Sequence, residues 1–484
     1  MRIDWQQQKL GSVILVLAVL AIGILLGQII AGFSFKIALA LIFFSIIFIA
    51  TLVDTEAGLA ILIFSMLFSP EIIFGQIPGR DIVVRLDDIL LAVITFAWFA
   101  KTAINKGLGL FIKTRLNRAI VIYILVCIIA TLKGAASGNV SFLKGTFFLL
   151  RYFEYFLLYI LVANYIHNRK QIKFFLNAFF VTCALVSIYG IMQIPRGVRV
   201  SAPFEGKIGE PNTLGGYLLF LFCIAIGIFL QNVSKRAKQA LAGLAVLIFI
   251  PFLFTLSRAS YLAIIFSYVV LITLSKRKVI LIGVLATIII SVLVFRPEAV
   301  FSRVKYTFSG GQSRLVKIGN TRLDSSSSAR IRSWQESLQD WKKNPILGRG
   351  VSGYGFIDGQ YIVNLVEVGI VGLFAFLWLL WSITRHSLSI HREVQDKLYK
   401  GLTLGFVAGF VGLAIHALTA NTFIIIRIME PFWFMAAIVM MLPQIEEEEE
   451  REKKEKEEGA AQMESKAEVL EKIEQGRETG QEIK

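Results

Sequence analysis

Four charged residues lie inside long apolar stretches of the sequence, where a charge is costly and therefore informative. Arg151 and Glu154 occur three positions apart in one stretch, and Arg427 and Glu430 repeat this spacing in another. Residues three apart share one face of a helix, so each pair can form an ion pair. Placing an arginine at the centre of a membrane-spanning helix raises the free energy of insertion by about 2.5–3.5 kcal/mol. The pairs indicate either structural ion pairs inside a helix bundle or a polar cavity that admits a charged substrate.

A further arginine, Arg258, stands in a short polar segment, 255–260, between two apolar stretches. An arginine at a membrane boundary can simply extend its guanidinium toward water. Its planar fork of N–H donors can equally bind a diphosphate at the membrane surface. The sequence leaves both interpretations open.

The hydrophilic segment 297–360 carries the most specific pattern. It contains SARIRSW at 328–334, NPILGRG at 344–350 and DGQY at 358–361. Residues 330–343 have the pattern of an amphipathic helix, with Ser327 or Ser328 as its N-cap. Four glycines at 348–355 allow tight turns that can present backbone N–H groups.

Several common catalytic motifs are missing from the sequence. It has no Walker loop, no Gly-x-Ser-x-Gly elbow and no His or Cys cluster with metal-ligand spacing. His416 lies in an apolar stretch, where a hydrogen-bonded interior residue is the favoured interpretation over a ligand. We therefore predict no metal and no cofactor. The cysteines also lie in apolar stretches and indicate small buried residues, at Cys127, Cys183 and Cys223.

Long apolar segments must position these residues. Of 484 residues, 56% are hydrophobic and 17% are charged, whereas about 25% are charged in ordinary soluble domains. Continuous apolar runs recur, and about 20 such residues cross the hydrocarbon core as a helix. We predict an all-α polytopic membrane protein with about 12–14 transmembrane helices and one long periplasmic loop containing short helices. The candidate spans are 10–30, 35–53, 57–75, 87–105, 118–134, 145–166, 172–194, 213–231, 239–256, 259–274, 279–296, 361–384, 401–419 and 424–443.

The distribution of basic residues predicts which connections face the cytoplasm. If the N-terminus is cytoplasmic, every strongly basic short loop falls on the cytoplasmic side, as the positive-inside trend requires. Segment 297–360 then lies outside, together with connections 76–86 and 195–212. These two connections contain Arg85 and Arg199. Their basic residues are either a statistical exception to the trend or groups that contact an anion.

Four regions follow from these spans. They are an N-terminal transmembrane bundle at 1–296, a large periplasmic loop at 297–360, C-terminal transmembrane helices at 361–445 and a charged cytoplasmic tail at 446–484. The tail holds 15 Glu and 8 Lys or Arg, so the rest of the chain carries +23 against +16 for the whole. Because this basic excess lies in short loops, we predict no nucleic-acid partner. The tail composition predicts a solvated helix or a disordered segment.

The order of the motifs resembles that of the O-antigen ligase and O-antigen polymerase superfamily. The resemblance covers most of residues 80–440. The matching residues are Arg330-x-x-x-Trp334, Asn344-Pro345-x-x-Gly348-x-Gly350, Asp358-x-x-Tyr361 and Glu367-x-Gly369-x-x-Gly372, with Ser257-Arg258, Pro211-Asn212 and Arg151-Tyr152-x-Glu154-Tyr155 upstream.

The resemblance implies glycan transfer from an undecaprenyl-diphosphate carrier to a glycan or lipid acceptor. The reaction would occur on the periplasmic face of a bacterial inner membrane, without a metal, and with polysaccharide-assembly proteins as candidate partners. Arg258 and Arg330 are expected to hold the diphosphate, which is also the leaving group. Tyr361 and Glu367 are expected to support the loop. Further substrate-binding candidates are Arg332, Arg151 and Arg199.

One position departs from the ligase pattern. Lipopolysaccharide ligases carry a histidine before the Glu-x-Gly motif, and this chain has Asp358 there. Aspartate at this position is more similar to the polymerase branch. We therefore predict a polymerase-like glycosyltransferase in which Asp358 acts as a base or orients the acceptor. The alternatives are a ligase that moves the glycan to lipid A core or protein, and a transporter or flippase of lipid-linked sugars. The two matching halves typical of transporters are not visible.

Overall fold

The computed structural model describes residues 35–77, 80–104, 112–205, 209–231, 233–295, 317–318, 321–322 and 325–478. The predicted span 10–30 and most of segment 297–324 lie outside the described residues. The chain divides into two compact units, one of residues 1–61 and 89–108 and the other of residues 62–88 and 109–484. Every predicted site residue belongs to the second unit.

Among the described residues before 105, the chain forms three helices and one hairpin. The helices are α1 (Phe35–Val53), α2 (Thr55–Phe68) and α3 (Leu86–Ile104). Strands β1 (Glu71–Ile77) and β2 (Arg80–Arg85) pair antiparallel between α2 and α3.

The predicted span 57–75 is wrong in its second half. Helix α2 ends at Phe68, and Glu71–Ile77 is a strand. Pro70 has no N–H for the helix and clashes with the preceding turn, so it favours ending the helix. The isoleucines at 72 and 73 have high strand propensity. An apolar run alone therefore could not distinguish a helix from a hairpin here.

The described part of the second unit is almost wholly helical. Beyond the hairpin, the strands within its described residues are the two-residue pair β3 (Lys317–Ile318) and β4 (Thr321–Arg322). Its helices are α4 (Asn117–Ala136), α5 (Phe142–Tyr165), α6 (Arg169–Gln193), α7 (Pro211–Phe229), α8 (Lys235–Phe254), α9 (Arg258–Leu274), α10 (Lys278–Phe295), α11 (Ser325–Trp341), α12 (Gln360–Glu393), α13 (Lys397–His416) and α14 (Ile426–Glu478), with short 3-10 turns at Ile194–Arg196 and Thr422–Ile424.

Eight of the helices within the described residues are long and apolar enough to cross a membrane. They are α4 to α8 and α12 to α14, and α9 is apolar but shorter. Helix α7 is buried on nearly all sides, as expected of a helix at the centre of a bundle. The predicted fold class, an all-α polytopic membrane protein, is confirmed.

Helices α7 and α13 approach closely through glycines. A Cβ built on Gly405 would lie 2.5 Å from the Cys223 carbonyl oxygen, and one on Gly401 would lie 2.7 Å from the Ile228 Cα. Gly227 on α7 is similarly tight, with 2.4 Å to the Gly401 carbonyl oxygen. Small residues at such crossings let two backbones pack directly, which is a common basis of helix association in membranes.

We expect Gly405→Ala to destabilise the protein by about 1–3 kcal/mol, because its methyl group would overlap backbone atoms that cannot move aside. Thermal unfolding in detergent measures the effect. Gly243→Ala on α8 is the matched control, since a Cβ there meets nothing within 4 Å. It should be neutral or stabilising by about 0.5–1 kcal/mol. Equal melting temperatures for the two variants would contradict this packing account.

The charged tail continues α14 as helix to Glu478. A carboxylate oxygen of Glu446 accepts hydrogen bonds from the N–H groups of Gln395 (2.9 Å) and Asp396 (2.5 Å). Glu449 accepts from the Arg169 N–H at 3.0 Å and the Tyr399 hydroxyl at 3.1 Å. The first turn of the tail therefore fixes the ends of α6, α12 and α13. Of the two predicted alternatives, the structure has the helix.

Candidate active site

The loop that follows α11 is joined to a break in α12. The helix is interrupted at Gly369, whose φ of 76° lies in the left-handed region that glycine adopts readily. The Arg349 N–H donates to the Val366 carbonyl at 3.1 Å, and the Gly350 N–H donates to the Glu367 carbonyl at 2.8 Å. The loop thereby satisfies carbonyls that the broken helix leaves without partners.

Glycine is required where these two backbones meet. A Cβ on Gly348 would lie 2.4 Å from the Glu367 carbonyl oxygen, and one on Gly369 would lie 2.2 Å from the Ile346 carbonyl oxygen. Real Cβ atoms do not approach backbone oxygens so closely. The Asn-Pro-x-x-Gly-x-Gly and Glu-x-Gly motifs are therefore two halves of one interlocked element, which holds Glu367 at the break.

The end of α4 supports the same loop. Lys133 Nζ donates to Asn344 Oδ1 at 2.6 Å and to the Gly348 carbonyl at 3.1 Å. A Cβ on Gly134 would lie 2.1 Å from the Arg349 carbonyl oxygen. The loop is thus held from α4 as well as from α12.

Helix α11 confirms the predicted amphipathic helix but corrects its start. It begins at Ser325, so Ser327 and Ser328 lie within its first turn and neither is the N-cap. The serine run extends the helix further upstream than the apolar pattern, which begins near Arg330, could indicate.

Asp358 is held through its backbone and its side chain. The Trp334 indole donates to the Asp358 carbonyl. Asn421 accepts from the Gly359 N–H at 3.0 Å and donates to the Ile357 carbonyl at 2.7 Å. These contacts fix the peptide groups on either side of Asp358 and therefore the direction of its carboxylate.

Arg330 and Asp358 form an ion pair. Arg330 Nε donates to Asp358 Oδ2 at 2.8 Å, with side chains 24% and 29% exposed. Within the described part of the chain, the two Nη groups of Arg330 make no further hydrogen bond. The carboxylate thus orients the guanidinium by one edge and leaves its other donors available to a ligand.

Arg258 and Arg199 belong to a second cluster. Ser257, the N-cap of α9, hydrogen-bonds Asn212 Oδ1 at 2.8 Å, which joins the Ser257-Arg258 and Pro211-Asn212 motifs. Arg199 donates from Nε to the Thr255 carbonyl at 3.0 Å. Arg258 is partly buried at the first position of α9. The connection before α7 and the junction of α8 with α9 therefore meet at this point.

A cavity of about 700 Å³ lies beside these clusters, within the roughly 300–1,000 Å³ common for ligand pockets. Its aromatic wall includes Phe147, Phe148, Tyr152 and Tyr155 of α5. An apolar wall beside charged groups suits an amphiphilic ligand. The charged lining residues are Arg85, Arg151, Arg427, Glu71, Glu205, Glu210 and Glu367.

Arg427 is fixed by main-chain carbonyls. Its side chain is 2% exposed, and its Nη groups donate to four carbonyls. Glu205 Oε1 lies 4.0 Å from its Nε. A guanidinium so thoroughly hydrogen-bonded can stay charged in a buried place. The accepting residues are Leu67, Ser69, Pro203 and Phe204.

Both arginines of the predicted same-helix pairs have acidic neighbours on other segments. Arg151 Nη2 lies 3.9 Å from Asp88 Oδ2. Arg427 lies 3.9 Å from Glu71 Oε1 and 4.0 Å from Glu205 Oε1, and Glu430 is wholly buried. Acidic groups on other segments determine the pairing. The alternative interpretation, a polar cavity, fits Arg151 and Arg427.

The predicted residues fall into groups around the cavity. Arg151 and Glu367 line it. Asp358 follows the lining residue Ile357, and Asn212 lies between the lining residues Glu210 and Thr213, so the Arg330 and Arg258 clusters border it.

Two predicted site residues, Arg332 and Tyr361, do not line the cavity. Arg332 is exposed and, within the described residues, makes no hydrogen bond or ion pair. Tyr361 donates to the Ala414 carbonyl at 2.9 Å and so ties α12 to α13.

His416 is a buried, hydrogen-bonded residue, as expected. Its Nδ1 lies 2.8 Å from Thr422 Oγ1. Among the residues that the structure describes, no three His, Cys, Asp or Glu side chains could hold a metal ion together. Independence from a metal stays a prediction.

Two contributors to the site were not found from the sequence. Asn421 lies in a short polar turn that no motif marks, although a polar residue between two spans was a weak signal. Glu205 lies in a connection in which only the basic residues drew attention. The unusual feature of Glu205 is burial, which a loop sequence does not reveal.

Burial raises the pKa of Glu205 to about 7. The Arg427 guanidinium and the N–H groups of Glu210 and Ala202 oppose this rise. Glu205 lies outside the spanning helices, in the connection before α7, and lines the cavity. Its charge therefore changes close to neutral pH.

We expect the stability of the protein to fall as pH rises from about 4.5 to about 7, because the folded chain then holds a proton that the unfolded chain has released. The contribution is up to about 3 kcal/mol. Glu205→Gln should flatten this slope in thermal unfolding series. Glu336→Gln, at an exposed residue of α11 that is not among the groups acting on Glu205, should leave it intact. An unchanged slope in Glu205→Gln would refute the assignment.

The site and fold define a polytopic membrane protein with a charged, partly aromatic cavity under an interlocked loop. Residues 243–377 match the model of the O-antigen ligase family, Wzy_C. The match supports the O-antigen ligase and polymerase superfamily for this chain and indicates an O-antigen ligase-type membrane glycosyltransferase. This family implies a lipid-linked glycan substrate. No curated protein matches the chain.

Proposed function

We propose that this protein joins lipid-linked glycan repeats into a surface polysaccharide. The donor would be a glycan on undecaprenyl diphosphate, and the reaction would occur at the periplasmic face of the inner membrane. The observation that carries the proposal is the cavity, which three arginines line and which the Arg330–Asp358 pair borders. Arginines can neutralise a leaving diphosphate without a metal.

In the proposed reaction, an acceptor hydroxyl oxygen attacks the anomeric carbon of the donor sugar. The bond from that carbon to the phosphate oxygen breaks, and the diphosphate leaves with the electron pair. The Nη groups of Arg330 and the guanidinium of Arg258 would hold this anion, with help from Arg151, Arg199 and Arg332. Glu367 would form part of the wall of the site, and Tyr361 would support the loop through its bond to α13.

Asp358 would serve the acceptor. Its Oδ2 is engaged by Arg330, so Oδ1 is the atom that would orient the hydroxyl or take its proton. The aspartate in place of the ligase histidine supports a polymerase-like reaction. Transfer to lipid A core or to a protein is the alternative outcome of the same chemistry.

The test is the length of surface polysaccharide in cells that carry Arg258→Ala, Arg330→Ala or Asp358→Asn. We expect each variant, expressed at the wild-type level, to lose long polymer. If all three variants made polymer of wild-type length, the proposal would be contradicted. A glycan found on a new carrier, with unchanged length, would instead identify a ligase. Lipid-linked repeats that accumulate only on the cytoplasmic side would indicate a flippase.

A further inference from the structure

A stripe of exposed and half-buried residues runs along one face of α12. Phe374 and Trp381 are 66% and 53% exposed. The positions that follow on this face, Arg385, Leu388 and Arg392, are three or four residues apart, as required for one helical face. The opposite face of α12 is buried through residues such as Leu379, Ile383 and Ile390. The stripe is therefore a surface that the bundle itself does not cover.

Along the helix axis, the stripe changes from aromatic to basic residues between Trp381 and Arg385. Arg385 and Arg392 lie about 24–35 Å beyond the break at Gly369, on a rise of about 1.5 Å per residue. This distance approaches the roughly 30 Å of a hydrocarbon core. Tryptophan and arginine at such a height are typical of a helix end at the headgroup region.

The two arginines have no acidic partner within the described residues. The Arg385 guanidinium lies over the Trp381 ring, 5.1 Å from its centroid. The adjacent carboxylate, Glu393, is occupied by a two-point ion pair with Arg115 at 2.9 and 2.7 Å. Arg385, Arg392 and Glu393 all line an open recess of about 420 Å³. The recess thus presents two unneutralised guanidiniums.

We propose that the stripe formed by Phe374, Trp381, Arg385, Leu388 and Arg392 binds an anionic phospholipid. One acyl chain lies along Phe374 and Trp381, and the phosphate accepts hydrogen bonds from Arg385 and Arg392. A zwitterionic lipid offers the same chain but no net charge, and free phosphate offers the charge but no chain. This site is separate from the cavity and does not depend on the proposed transfer reaction.

Quenching of tryptophan fluorescence by brominated lipids tests the site directly. The full-length protein is reconstituted in phosphatidylcholine with increasing dibromo-phosphatidylglycerol or, separately, dibromo-phosphatidylcholine. The difference between wild type and Trp381→Phe isolates the signal of Trp381. Half-quenching of Trp381 should need about tenfold less of the anionic lipid than of the zwitterionic one, given the attraction of two arginines.

The double variant Arg385→Gln/Arg392→Gln should lose this preference. Arg236→Gln, which removes an exposed arginine from the first turn of α8, should keep it. Equal quenching by the two lipids in the wild type would overturn the proposal, as would a preference that survives in the double variant. Equal quenching by the two lipids, together with binding of inorganic phosphate that the double variant loses, would assign the recess to a free anion and overturn the lipid site. The wild-type comparison decides the question even if the double variant fails to fold.

Discussion

Replacing Arg330 with alanine is expected to lower glycan transfer at least about a hundredfold, the usual loss when one donor to a developing anion is removed. Arg330 is oriented by Asp358 through Nε at 2.8 Å, so in the proposed reaction its Nη groups would be the donors to the diphosphate. Arg330→Lys keeps the charge but loses the fork, and should recover only part of the rate. The rate of product formation by purified protein measures the loss.

Lys342→Ala is the matched control for Arg330→Ala. Lys342 is an exposed cation immediately after α11, so its loss should change the rate by no more than about twofold. Equal rates for Arg330→Ala and wild type, at equal amounts of folded protein, would contradict a role for Arg330 in the transfer.

The second large effect is expected from Gly369→Ala. The new methyl group would lie 2.2 Å from the Ile346 carbonyl oxygen, at a residue whose φ is 76°. Steric overlap with the backbone and left-handed strain add together, so we expect about 3 kcal/mol or more of destabilisation. Release of the loop should also abolish transfer, because Glu367 and the loop depend on the same interlock.

Gly355→Ala tests whether this loss is specific. Gly355 lies in the same loop, and a Cβ there meets nothing within 4 Å. Its variant should retain the melting temperature. A Gly369→Ala protein that melts like Gly355→Ala would show that the break in α12 is not locked in the way described.

The sequence predicted what depends on continuous hydrophobicity. Runs of about 20 apolar residues gave most spanning helices to within a few residues, since length and hydropathy decide that question. The approach failed at 57–75, where one apolar run contains a helix end and the first strand of a hairpin. Only Pro70 marked the change.

Contacts between distant segments could not be predicted in the same way. Arg330 and Asp358 are 28 positions apart, and the motif order suggested a shared site without their ion pair. Spacing within one helix favoured Arg151 with Glu154, yet Asp88 comes from another segment. Asn421 has no motif to identify it. Such pairings depend on which helices pack together, which composition and periodicity do not specify.

For two glycines, the motif could be found from the sequence but its structural reason could not. The spacing of Gly348 and Gly369 identified a motif, but its physical reason appears only where the two backbones meet. Each excludes a Cβ because the partner backbone occupies that space. The motif glycines are therefore required by the contact between the two backbones, in addition to any contact with substrate.

The most direct measurement is transfer by the purified protein in proteoliposomes with a synthetic oligosaccharide on undecaprenyl diphosphate. We predict elongation of the lipid-linked glycan, with one undecaprenyl diphosphate released for each bond formed. Arg330→Ala should lose this activity and Lys342→Ala should keep it. Folded wild-type protein that yields no elongated glycan and releases no carrier, with a lipid-linked glycan, lipid A core or protein as acceptor, would contradict the assignment as a glycosyltransferase.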